Sequence, residues 1–153
     1  MILKEGGNIF KDPDGKPVTQ RISKNDIDPT LDWVEKITGI DHKDMKLGST
    51  GIRSSSGDID IAVNAKEVDK EGMYQKFVTW ATKNYPDDNP RQWVAKSGTN
   101  VHFKTPINGN PKNGFVQLDL MFGDPVWMKF ALKGSGDDSI YKGAHRMIML
   151  ASV

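Results

Sequence analysis

Cysteine is absent from the 153 residues, which excludes a disulfide framework, thiolate zinc sites, iron–sulfur ligation and a cysteine nucleophile together. Long hydrophobic runs are absent too. The longest, Met147 to Ala151, falls far short of the ~20 residues that a membrane helix needs. The opening Met-Ile-Leu-Lys-Glu-Gly-Gly lacks the basic and apolar blocks of a secretory leader, so the expected address is cytoplasmic, with no membrane partner. Charge of one sign is missing as well: 21 Lys and Arg against 20 Asp and Glu give +1, so contact with a polyanion would rest on a local patch. Histidine is sparse, and positions 42, 102 and 145 have no i, i+4 spacing, which argues against a zinc site. No repeat or low-complexity segment is visible.

What is present is the composition of a single globular domain. At 37% hydrophobic and 27% charged residues the chain can fold on itself, and this length buries roughly 68–70% of its unfolded surface. Residues 1–29, rich in Gly, Pro, Asp and Lys, read as an irregular N-terminal segment with one short strand around Ile2–Leu3 to Ile9–Phe10. Asp28-Pro29-Thr30 then predicts a helix start, with Leu31, Val34 and Ile37 on one face and Gly39 as its stop. Met45-Lys46-Leu47 reads as a short strand. Ile59, Ile61 and Val63 alternate with Asp58, Asp60 and Ala62, the period of a two-faced strand.

Lys66 to Asn84 predicts a helix whose core stripe is Val68, Met73, Phe77, Trp80 and Ala81. Trp93 to Lys96, Asn100 to Thr105 and Phe115 to Phe122 read as strands, with turn chemistry over Ile107 to Gly114. Val126 to Leu132 and the stretch from Ser139 predict further helix. The last of these is still apolar at Val153, which predicts that residues 30–153 are one domain at the front of a longer protein.

The chemistry concentrates between Leu47 and Ile61. Gly48 permits close backbone approach, and Ser49 and Thr50 offer hydroxyl and N–H donors of the kind that hold phosphate. Arg53 adds a permanently charged fork on the same loop. Asp58 and Asp60, two apart on a strand, share a face and repel each other unless a cation lies between them. Hard oxygen donors beside phosphate favour Mg²⁺. Asp119, mid-strand between Leu118 and Leu120, is a costly place for an unpaired charge and makes a third carboxylate.

Gly48-Ser49, eight residues, Asp58-Ile59-Asp60-Ile61 and, much later, Leu118-Asp119-Leu120 together resemble the signature of the DNA polymerase β superfamily of nucleotidyltransferases. The resemblance covers about residues 30 to 125. It implies an α/β (α+β) palm, a small mixed sheet flanked by helices with the aspartates on one face. It further implies that Asp58 and Asp60 bind two Mg²⁺ ions (Mn²⁺ substituting), that Asp119 binds the catalytic ion and helps activate the attacking hydroxyl, and that Gly48, Ser49 and Arg53 hold the triphosphate. The implied reaction transfers NMP from an NTP to a hydroxyl, on an RNA or DNA end or on a protein, and releases pyrophosphate.

Other classes compete with this reading. A catalytically silent nucleotide-binding or assembly module would bind NTP without turnover, and a phosphoesterase on the same carboxylates would release phosphate or monophosphate with no labelled acceptor. His102 reads as an exposed or satisfied histidine rather than a ligand, and Phe77, Trp80, Trp93 and Trp127 read as core or cover. Lys129, Lys133, Lys142, His145 and Arg146 make the tail locally basic, a solvated face or a contact for triphosphate or acceptor.

Overall fold

The computed structural model of the chain describes residues 9–47, 50, 52–124 and 126–128. In chain order, β1 (Ile22–Ser23) runs into helix α1 (Lys24–Thr38), and β2 (Ser55–Ser56) precedes β3 (Asp58–Asn64). Helix α2 (Lys70–Asn84) follows, then β4 (Val94–Ser97), β5 (Asn100–Pro106) and β6 (Phe115–Gly123). The result is the mixed α/β class that the sequence pattern predicts.

The main sheet has the order β3-β6-β5-β4, with β3 parallel to β6 and the other neighbours antiparallel. β1 and β2 pair antiparallel as a separate ribbon.

Strand alternation divides the main sheet into two different faces. Ile59, Ile61 and Val63 lie beside Leu118, Leu120 and Phe122, and Val101 and Phe103 extend this apolar field across β5. These side chains share one core with Ile27, Leu31 and Val34 of α1 and Met73 and Phe77 of α2, so both helices pack on this face. Phe77 stacks on Phe103 at 4.3 Å, and Trp80 meets Phe103 edge-on at 5.4 Å. Phe103→Ala would remove the ring that both helices' aromatics use, and a loss of about 3–5 kcal/mol is expected from urea unfolding. A loss under about 1 kcal/mol would mean that this contact does not organise the core.

The opposite face carries Asp58, Asp60, Gln117, Asp119, His102 and Lys104 as register neighbours. A small second cluster, Leu47, Ala62 and Met128 with Met121 against it, covers one end of that face. At the other end Ile9 donates its N–H to Gln117 Oε1 at 3.0 Å. The aspartates lie between these two covers.

Several boundaries differ from the sequence reading. α1 begins at Lys24, not at Pro29, and Pro29 lies inside the helix. Its buried stripe starts at Ile27, so tertiary burial carries the helix back through the proline; Thr30 Oγ1 donates to the Asp26 carbonyl at 2.6 Å on the turn that the proline occupies. The segment read as irregular therefore already holds β1 and the first turns of α1. Gly39 does end the helix, in the left-handed conformation at φ 78° with its N–H on the Glu35 carbonyl.

α2 starts at Lys70 rather than Lys66, because Asp69 caps it by accepting from the Gly72 N–H at 2.9 Å. The strand read at Met45-Lys46-Leu47 is instead the end of a 3-10 turn, Lys43–Met45, followed by a single antiparallel bridge of Lys46 with Ile61. The strand start at Ile2–Leu3, the helix beyond Met128 and the basic tail residues lie outside the described residues.

Candidate metal centre

β3 and β6 run parallel in a register that sets Asp60 beside Asp119 and Asp58 beside Gln117. Because β3 alternates, Asp58 and Asp60 project from the same face, and one carboxylate oxygen from each of Asp58, Asp60 and Asp119 can be chosen so that all lie within 4.8 Å of one another. The convergence that the sequence predicts is therefore present. Asp119 is buried, and Asp58 and Asp60 are half-buried.

Electrostatics makes this an unstable arrangement for three bare carboxylates. Burial first, and the Asp119 charge second, raise the Asp58 carboxyl to about 7 against an ordinary 3.8. Asp60 is pushed well above the ordinary range by burial and then by the charges of Asp58 and Asp119. A divalent cation answers both causes at once, since it replaces lost hydration and neutralises the mutual repulsion.

The remaining parts of the predicted site fall out as follows. Gly48 and Ser49 lie outside the described residues. Their sequence neighbours both hold the Asp60 backbone: Leu47 donates its N–H to the Asp60 carbonyl at 2.7 Å, and the Asp60 N–H donates to Thr50 Oγ1 at 3.0 Å. Arg53 is exposed in the turn at 52–54. The arginine whose charge favours the ionised form of Asp58 is instead Arg21, placed just ahead of β1. It is held there by Ser55, whose Oγ and carbonyl accept from Nε and Nη2, each at 3.1 Å.

Two residues that the sequence did not assign to the site enclose Asp119. His102 Nδ1 lies 2.6 Å from Asp119 Oδ1, and Gln117 Nε2 donates to the same oxygen at 2.9 Å. Of the two readings the sequence allowed, exposed or satisfied, His102 follows the second: it is buried at 5% exposure and satisfied at one nitrogen. A lone histidine in a strand gives no hint of this; only the β5–β6 register sets it opposite Asp119. Of the aromatics, Trp93 is core and stacks on Tyr85 at 4.2 Å, while Trp127 is 40% exposed.

His42 is buried as well. Its Nε2 meets Thr38 Oγ1 at 3.0 Å, and burial lowers its pKa to about 4, the pattern of a neutral core histidine. No family model matches the chain, and no characterised relative or solved structure matches it. Among the described residues, no helix is long and apolar enough to cross a membrane.

Proposed function

We propose that the chain is a divalent-cation-dependent nucleotidyltransferase that moves NMP from an NTP to an acceptor hydroxyl in the cytoplasm. The observation that carries this reading is the meeting of Asp58, Asp60 and Asp119 within 4.8 Å on the sheet face opposite the helices. An all-oxygen donor set in which burial and like charge oppose ionisation suits Mg²⁺, with Mn²⁺ as a substitute. Bound there, such ions would supply Lewis-acid charge neutralisation at the phosphoryl oxygens.

The residues divide the remaining work. Asp58 and Asp60 would hold the ions from β3, and Asp119 from β6. Asp119 has one oxygen fixed by His102 and Gln117, which leaves the other to hold the cation that would acidify the attacking hydroxyl, whose proton passes to water. The acceptor oxygen then forms its bond to the α-phosphorus while the bond to the bridging oxygen breaks, and pyrophosphate leaves. Gly48, Ser49 and Arg53 are assigned to the triphosphate by the motif they share with nucleotidyltransferases, and Arg21 adds positive charge near Asp58. Catalysis of this type is mostly positioning and charge neutralisation, which rigid strands do well.

Incubating the protein with each α-phosphate-radiolabelled NTP, Mg²⁺ and separate pools of RNA, DNA and protein tests the reading. Label should enter one acceptor class, and it should be lost when the three aspartates are replaced by asparagine. Labelled monophosphate with no labelled acceptor would replace transfer by hydrolysis. Mg²⁺-dependent NTP binding without turnover in any pool would leave a silent nucleotide-binding module.

A further inference from the structure

A buried strand position is usually filled by an apolar side chain, because a polar atom without a partner there carries its full desolvation cost. His102 departs from that rule. It is 5% exposed, and among the described residues its Nε2 finds no hydrogen-bond partner. Leucine or phenylalanine would fill the same place without stranding a nitrogen. The group that accounts for a histidine is the other ring nitrogen, Nδ1, 2.6 Å from Asp119 Oδ1.

The arrangement around Asp119 is directional. Gln117 is fully buried, and its Oε1 accepts the Ile9 N–H, so its amide nitrogen must be the end that faces Asp119. Both Gln117 and His102 direct their donors at the same oxygen, Oδ1. Two donors from neighbouring strands on one oxygen lock the carboxylate's rotation, and the other side chains that hydrogen-bond Asp119 are the Asp58 and Asp60 carboxyls, the groups with which it would share a cation. For Asp119 to accept from Nδ1, the ring must carry a hydrogen there.

We propose that His102 is a positioning residue that holds Asp119 through its Nδ1–H, presenting the second carboxylate oxygen to a divalent cation shared with Asp58 and Asp60. The inference rests on the carboxylate-cluster reading above, but not on the identity of the acceptor or on turnover.

The test uses Mn²⁺ alone, followed through the loss of its free-ion paramagnetic resonance signal, with thermal unfolding as the check on folding. Asparagine carries an amide nitrogen near the place of the histidine Nδ1, whereas glutamine carries it near Nε2. His102→Phe fills the volume and has no donor. Mn²⁺ affinity should fall about 10–100-fold in His102→Phe and His102→Gln, and His102→Asn should restore it to within a few-fold of the parent. A folded His102→Phe protein that binds Mn²⁺ within twofold of the parent would overturn the proposal. If His102→Phe does not fold, glutamine and asparagine variants of equal affinity would overturn it in the same way.

Asp119→Ala separates the two levels of argument. If it abolishes Mn²⁺ binding while the His102 variants keep it, only the positioning role falls. If the parent protein itself binds no Mn²⁺, the carboxylate cluster is not a cation site and both readings fall together.

Discussion

Asp60→Asn is expected to lower pyrophosphate release by on the order of 10³-fold or more while leaving the fold intact. The substitution keeps the side chain's size and removes its charge. What anchors position 60 is its backbone, with Leu47 bonding the carbonyl and Thr50 Oγ1 accepting the N–H, and neither contact involves the carboxylate. β3 should therefore keep its register against β6, and circular dichroism and the unfolding midpoint should show a native protein. Asp119→Ala should be as damaging to rate. A folded Asp60→Asn protein with more than about a tenth of the parental rate would remove that residue from the catalytic centre.

Asp58→Asn is expected to make the cation-free protein more stable at pH 8 even as it disables the site. In the folded chain the Asp58 carboxyl titrates near 7 instead of 3.8. Between those values the folded state holds a proton that the unfolded chain releases, so the contribution of Asp58 to stability is fully present below pH 4 and is lost as pH rises to 7. Each pKa unit corresponds to about 1.4 kcal/mol. Screening of a half-buried group by water brings the expected gain at pH 8 to about 2 kcal/mol. Parent and variant should be nearly equal at pH 4, where both carry a neutral group at position 58.

His42 acts in the opposite sense. Its folded pKa of about 4 lies below the ordinary 6.5, so its contribution is present above pH 6.5 and is lost as pH falls toward 4. Both proteins carry His42, so the difference between their unfolding curves cancels it and leaves Asp58 together with its effect on Asp60. Mg²⁺ at 100 times its Kd should stabilise the parent by about 2.7 kcal/mol and the variant by much less. An Asp58→Asn protein less stable than the parent at pH 8 without Mg²⁺ would contradict the charge-repulsion account.

The site was legible in the sequence wherever periodicity determines direction. Asp58 and Asp60 had to share a face once Ile59, Ile61 and Val63 fixed the strand, and Asp119 stood out as a charge inside an apolar run. Residues that reach the site by strand pairing were not legible. Arg21 is brought near Asp58 by the ribbon that pairs Ile22 with Ser56, whereas Arg53 drew notice only by its nearness in sequence. His102 depends on the β5–β6 register, which no local pattern encodes, whereas Gln117, two residues before Asp119 on the same strand, shares its face by the same alternation. The helix starts erred for a related reason. Pro29 reads locally as a first-turn residue, but the buried stripe extends back to Ile27, and the side-chain cap of α2 is made by Asp69.

The parallel pairing of β3 with β6 also governs when the centre comes into being. Asp60 and Asp119 are register partners, yet α2, β4 and β5 all lie between them in the chain. Such non-local pairings carry the loop-closure cost of folding and form slowly. No single element of the chain carries all three carboxylates, so a cation held by them would bind only once the sheet has closed. A divalent ion should accordingly leave nascent or partly folded chains alone and act as a late lock on the finished sheet.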